Sequence, residues 1–264
     1  MLKRIVRRDL VRMLKSPELY ISILIVLICA GLALKRNWIY QNLRLYSPVG
    51  ALNLFIYSAI KNNTGMSIFA PFVAVLPFSY ALFDEMQTGF SKNIIPYSSF
   101  EVYIKSKVIS SLVSGGGVFA IAYTVWLISL CIISHETSIR MGIGVGQFKS
   151  VYDYSMLLFC LLYIVYVAIC GAAYALLATG LSLFLRNKYI VIGCPVILYY
   201  ASFYASSMFP SEVRTILSYI LPFLTFEITS VAVPAIRNFS QIGCIYALAL
   251  ILIYAGQKKY WNNQ

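Results

Sequence analysis

Residues 156–185 read MLLFCLLYIVYVAICGAAYALLATGLSLFL, an apolar run from Met156 to Leu185 that contains no charged side chain. A helix needs roughly 20 apolar residues to cross a hydrocarbon core of about 30 Å. In lipid the backbone must satisfy its own amides, so the run reads as a helix rather than an open strand. Five further stretches follow the same reasoning: Leu19–Leu34, Met66–Phe83, Val108–Ile133, Tyr189–Phe209 and Ser240–Gly256. Together they predict an all-α integral membrane protein, with six transmembrane helices in one domain over residues 1–264.

Composition agrees with this reading. Hydrophobic residues make up 60% of the chain and charged residues 11%, and the mean hydropathy of +0.79 lies outside the range of soluble domains. The spans leave no stretch long enough for a separate catalytic domain. A net charge of +12 could suggest nucleic acid, but its distribution argues against that. Lys3, Arg4, Arg7, Arg8, Arg12 and Lys15 crowd the first residues, a topology and membrane-surface signal, and no aromatic-basic reading module accompanies them. Cys29, Cys131, Cys160, Cys170, Cys194 and Cys244 all fall within the spans and form no C-x-x-C pair, so they read as small buried hydrophobes rather than a metal or disulfide framework.

Orientation follows from the bases between spans. One side carries the N-terminal group, Lys92, Lys105, Lys107, Arg186, Lys188, Lys258 and Lys259. The other carries Lys35, Arg36, Arg44, Lys61, Arg140, Lys149, Arg214 and Arg237, spread over longer loops. The positive-inside rule then places both termini in the cytoplasm. The apolar run Ala51–Ile60 is too short to cross and is expected to lie at the outer surface.

Residues 1–17 predict an amphipathic interfacial helix. At 100° per residue Leu2, Ile5, Val6, Leu10 and Met13 gather on one face, while Arg4, Arg8, Arg12 and Lys15 gather opposite. Such a helix lies apolar side down in the interface, its bases favouring anionic lipid by about 1 kcal/mol each. Ser16-Pro17 breaks it before the first span. The long amphipathic basic region, with Pro17 and Glu18 ahead of the apolar core, is unlike a cleavable signal.

After the second span comes Phe83-Asp84-Glu85-Met86-Gln87-Thr88-Gly89-Phe90. Then follows Ile94-Ile95-Pro96-Tyr97-Ser98-Ser99-Phe100-Glu101-Val102-Tyr103-Ile104-Lys105-Ser106-Lys107. This reads as a cytoplasmic hairpin over residues 84–107. Gly89 permits a turn, Pro96 ends one element, and Ser98 or Ser99 caps a new helix supported by Glu101.

These features resemble the permease subunit of a bacterial type-2 ABC exporter. The likeness rests on the interfacial helix, the span-two end Glu85-x-x-x-Gly89, Pro96, the Ser-Ser-Phe-x-x-Tyr-x-x-x-Lys run ending at Lys107, and the six spans. In that family the hairpin docks on a separate cytoplasmic ATPase, present in two copies, and two permeases pair around the translocation path. The resemblance therefore implies ATPase-coupling roles for Glu85, Gly89, Pro96, Tyr97, Lys105 and Lys107. Glu85 would either hold the hairpin or pair with a base on the ATPase. It places ATP and Mg on that partner, no cofactor on this chain, and the protein in the bacterial plasma membrane. Exporters of sparse design often move amphipathic or antimicrobial peptides, which is the substrate class the resemblance suggests.

The segment 210–238 also fits the resemblance. Val213–Leu221 and Phe223–Val233 are half-span apolar pieces split by Pro222, as expected of a re-entrant helical hairpin before the last span. Glu227 within it is a pathway candidate or a headgroup-level carboxylate. Tyr199, Tyr200, Phe203 and Tyr204 form either an interfacial aromatic belt or a substrate-contacting wall.

Other motifs fail. No G-x-x-x-x-G-K-[ST] occurs. Gly115-Gly116-Gly117 reads as close helix packing, and Gly142-x-Gly144-x-Gly146 as an outer loop. His135-Glu136 lacks the second histidine of H-E-x-x-H. No catalytic residue or metal ligand is assigned. The alternatives are a membrane-embedded enzyme, such as an intramembrane protease or acyltransferase, and an ion-coupled carrier. The first lacks paired carboxylates in the spans, and the second lacks midspan ionisable groups.

Overall fold

A computed structural model describes residues 2–40, 50–61, 64–79, 81–88, 99–134, 149–185, 187–208 and 235–262. Their elements in chain order are α1 (Leu2–Leu14), α2 (Pro17–Tyr40), α3 (Ala51–Phe55) with a π-helical turn (Ile56–Lys61), α4 (Thr64–Val75) and α5 (Ala81–Gln87). Then come α6 (Phe100–Ile133), α7 (Lys149–Tyr154), α8 (Met156–Leu181), α9 (Lys188–Met208) and α10 (Ala235–Asn262). No strand occurs among the described residues.

Among the described residues, four helical stretches are long and apolar enough to cross a membrane: Pro17–Lys35, Phe100–Ile133, Met156–Leu181 and Phe239–Lys259. Their outward faces carry large apolar side chains, such as Ile21, Leu24 and Ile28 on α2 and Leu158, Leu161 and Val165 on α8. Exposed faces of that size suit lipid rather than water. The chain is thus an all-helical protein of the multi-pass membrane kind.

One expected span differs from the continuous helix read in the sequence. Met66–Phe83 is broken: α4 stops at Val75, a turn follows, and α5 starts at Ala81. Pro77 lies in that turn, and a proline there offers no amide to continue the helix while its ring crowds the preceding turn. The fifth region is a helix over Lys188–Met208 that runs through Pro195 without a break.

The core lies where α6 and α8 meet. A Cβ placed on Gly115 would come within 2.4 Å of the Ala175 Cβ and 2.7 Å of the Gly171 carbonyl oxygen. One on Gly116 would lie 2.9 Å from the Ala168 carbonyl oxygen. Only glycine allows the two backbones this near, the small-residue logic of membrane helix pairs. Gly117 faces open space instead. Helix α10 closes on α8 in a similar way, with Gly180 beside Ala249 and Leu252.

Helix α6 has 34 residues, about 50 Å at 1.5 Å per residue, so it overshoots a hydrocarbon core of about 30 Å. Its charged side chains, Glu101, Lys105 and Lys107, all collect in its first turns. Its start is fixed by Ser99, whose hydroxyl accepts the Val102 amide at 3.4 Å, the cap expected at Ser98 or Ser99.

The short run Ala51–Ile60, expected at the outer side of the membrane, is covered by protein. Ala51, Leu54, Phe55 and Ile56 are buried, and α3 packs against α6 and α8. Phe55, Tyr123 and Tyr163 meet edge to face, with centroids 5.7–6.3 Å apart. The Tyr163 hydroxyl donates to the Ala59 carbonyl at 2.8 Å and the Trp126 indole N–H donates to the Ser58 hydroxyl oxygen at 2.8 Å. Bulk and polar tips together hold a segment too short to span.

Candidate functional site

At the end of the bundle where α1 and α5 join the start of α6, three ionisable side chains are buried together. Asp9 is 0% exposed, Glu85 2% and Lys107 1%. Such burial is tolerated only when charges find partners, and these do. The Lys107 Nζ donates to Asp9 Oδ2 at 2.8 Å and to Glu85 Oε1 at 2.8 Å. Arg12 Nη1 donates to the same Glu85 oxygen at 3.0 Å. The Tyr103 hydroxyl donates to Glu85 Oε2 at 2.8 Å, and Arg8 Nη2 donates to Asp9 Oδ1 at 3.1 Å.

Each element contributes for a local reason. Tyr103 and Lys107 are four apart on α6 and share a face. Their neighbours Glu101 and Lys105 share another, exposed face, where they form an ion pair at 2.6 Å. After the turn at Pro77, α5 offers Glu85 to that face. Helix α1 packs against α6, burying Ile5, Asp9 and Met13. Its last turn is closed by the Ser16 hydroxyl donating to the Met13 carbonyl at 2.8 Å. Pro17 then opens α2 at the position where a missing N–H costs nothing.

The Lys107 ammonium also lies 5.5 Å from the Phe78 ring centroid and 5.4 Å from that of Tyr103, near the negative faces of both rings. Two of its three donors meet carboxylates, and rings wall the rest of its surroundings. The outcome is a closed, charge-matched knot joining three segments far apart in sequence. Beside it opens a cleft of about 260 Å³ lined by Arg12, Met13, Ser16, Glu18, Pro77, Phe78, Ala81, Asp84 and Lys188. Arg12 belongs to both features. Across the cleft Lys188 approaches Asp84 at 3.9 Å.

The apolar stripe of α1 meets protein rather than lipid along Ile5 and Met13, which revises the expectation of an apolar face turned to the bilayer. Of the bases assigned to the membrane surface, Arg4 and Lys15 are exposed, whereas Arg8 and Arg12 are exposed and also hold buried carboxylates. Glu85 and Lys107, expected at the two ends of a hairpin, are brought into contact, and Glu85 is satisfied within the chain. Lys105 stays outside. Gly89, Pro96 and Tyr97 lie outside the described residues, as do Pro222, Glu227 and the 210–238 segment as far as residue 234.

The aromatic residues Tyr199, Tyr200 and Tyr204 lie on α9. Tyr199 is buried edge-on to Tyr174 and Tyr200, at 6.3 and 5.6 Å, while Tyr204 is exposed. The backbone of Phe203 continues α9.

Asp9 is the site residue that sequence reading missed. A signal was present: it is the only acid in the first seventeen residues. At 100° per residue it falls between Ile5 and Met13, inside the apolar stripe. A lone carboxylate on a buried face demands a cation. No protein-family model matches this chain, and neither does any curated protein sequence.

Proposed function

We propose that this chain is the membrane-spanning subunit of a type-2 ABC exporter, working as a dimer with two copies of a cytoplasmic ATPase. One observation carries the reading: Glu85 and Lys107, at the two ends of segment 84–107, are bonded to each other and to α1. A force applied to that segment by a partner would reach α1, α5 and α6 as one unit, because the knot cannot separate without stranding a buried charge. That is the mechanical requirement for converting ATP-driven motion outside the membrane into movement of helices within it.

In this reading there are six crossings. The 21 residues of α9 cover about 31 Å at 1.5 Å per residue, and α4 with α5 supplies the second crossing through its bend. Both termini are cytoplasmic, residues 210–238 form a re-entrant element, and ATP with Mg is bound by the partner. Amphipathic or antimicrobial peptides are the substrate class, by resemblance.

The test is co-expression with a candidate ATPase. Copurification and ATP hydrolysis that rises in the presence of the chain are the expected results. An ATPase that neither associates nor responds overturns the proposal.

A further inference from the structure

Helix α1 has two chemically opposite sides. One buries Ile5, Asp9 and Met13. The other exposes Lys3, Arg4, Arg7, Arg8, Arg12 and Lys15, together with Val11 and Leu14, which are 44% and 51% exposed. Asp9 is the only acid of α1 and is turned inward, so the outer side has no carboxylate of its own. Bases interspersed with exposed apolar side chains suit a bilayer surface of anionic headgroups, where the chains enter the interface and the bases meet phosphate. The position agrees, because α2 begins at Pro17 and turns out apolar residues such as Ile21 and Leu24 directly afterwards.

Two of the bases belong to both sides. Arg8 and Arg12 side chains are 43% and 55% exposed, yet one nitrogen of each is bonded to a buried carboxylate, Arg8 to Asp9 and Arg12 to Glu85. A guanidinium has five N–H donors in a planar fork, so one edge can serve a carboxylate while another serves a phosphate. We propose that Arg8 and Arg12 bridge anionic lipid headgroups to the buried Asp9–Lys107–Glu85 knot, so that bilayer charge sets how firmly α1 is held on α5 and α6. Phosphates outside the helix hold the guanidinium groups in the orientation that the carboxylates inside require. The bases that touch no buried group, Arg4 and Arg7 among them, supply attraction to the surface. This inference rests on the membrane placement of the chain and is independent of ATP coupling.

The experiment uses the purified full chain in phosphatidylcholine nanodiscs with and without 30% phosphatidylglycerol, an order-of-magnitude choice of surface charge, and reads amide hydrogen exchange over residues 2–14. Phosphatidylglycerol is expected to slow exchange in α1 about tenfold. The double variant Arg4→Gln/Arg7→Gln should lose most of that slowing while exchanging like the parent in phosphatidylcholine. Exchange that ignores phosphatidylglycerol, or a double variant with the full response, overturns the proposal. So does equal protection by inorganic phosphate in phosphatidylcholine discs, which would make the ligand a free anion, or by a single-stranded RNA oligonucleotide, which would make it nucleic acid. A failed lipid response with an intact ATPase response would remove this inference alone.

Discussion

The Lys107 ammonium lies 2.8 Å from Asp9 Oδ2 although 98 residues separate the two in sequence. The same nitrogen reaches Glu85 across 22 residues. One buried cation therefore fixes the N-terminal helix, the piece that follows the broken α4, and the long α6 in one arrangement. The position of α1 thus rests on a few buried, charge-assisted bonds as well as on apolar contact.

Lys107→Met removes the cation and leaves two carboxylates facing each other in a buried site. Loss of one partner from a buried ionic group costs about 3–5 kcal/mol, and that drop is expected in unfolding of the detergent-solubilised protein. Adding Glu85→Gln to it should recover part of the loss, because one stranded charge is then gone. Strictly additive losses in the double variant would sink the account of a shared network.

Coupling should fail at the same place. Glu85→Ala takes the acceptor away from Lys107, Arg12 and Tyr103 at once. Truncating one member of a buried charge pair costs about 2–5 kcal/mol, so ATP hydrolysis stimulated by the chain should fall by tenfold or more, about 1.4 kcal/mol per factor of ten. Tyr103→Phe, which keeps the ring and loses only the hydroxyl donor, should give a smaller defect. Normal stimulation in the Glu85 variant would contradict the proposed function.

The α6–α8 seam offers a paired test. A β-branched side chain at Gly115 meets Ala175 and the Gly171 carbonyl inside contact distance, so Gly115→Val should destabilise by about 1–3 kcal/mol or prevent folding. Gly117 has nothing within 4 Å of a built Cβ. Gly117→Ala should be neutral, or stabilising by up to about 1 kcal/mol through helix propensity. Thermal unfolding of both variants decides, and equal damage at the two positions would contradict the seam.

Six crossings with cytoplasmic termini predict a labelling pattern. In a background with native cysteines replaced by serine, cysteines at Gln41 and Gly146 should react with an impermeant reagent applied to intact cells. Those at Asn187 and Asn262 should react only after permeabilisation. Labelling at Asn187 in intact cells would require a different topology.

Hydropathy and charge are local properties, and what depends on them was legible in the sequence. Charge-free Met156–Leu185 announced α8, Val108–Ile133 announced most of α6, Ser16-Pro17 marked the break between α1 and α2, and Ser98 or Ser99 marked the start of α6. Glycines 115 and 116 were read correctly as close packing, because glycine at that density in an apolar helix has few other uses. The hairpin reading also singled out Glu85 and Lys107, with Glu85 either holding the hairpin or facing a partner.

Tertiary structure decided the rest. The apolar composition of Met66–Phe83 says nothing of the break between Val75 and Ala81, nor of the contact between Glu85 and Lys107. Run length suggested that Ala51–Ile60 lies at the outer surface, whereas its cover by protein depends on Tyr123, Trp126 and Tyr163 standing nearby, and no local window contains them. Asp9 fell on an apolar stripe that appeared suited to lipid, and only the packing of α1 against α6 turned it toward a cation. Sequence by itself determined that this chain carries long apolar helices of the membrane kind, since transfer to lipid is a sum over neighbouring residues. Which charges meet was decided in three dimensions, because a buried ion pair depends on the approach of helices far apart in the chain.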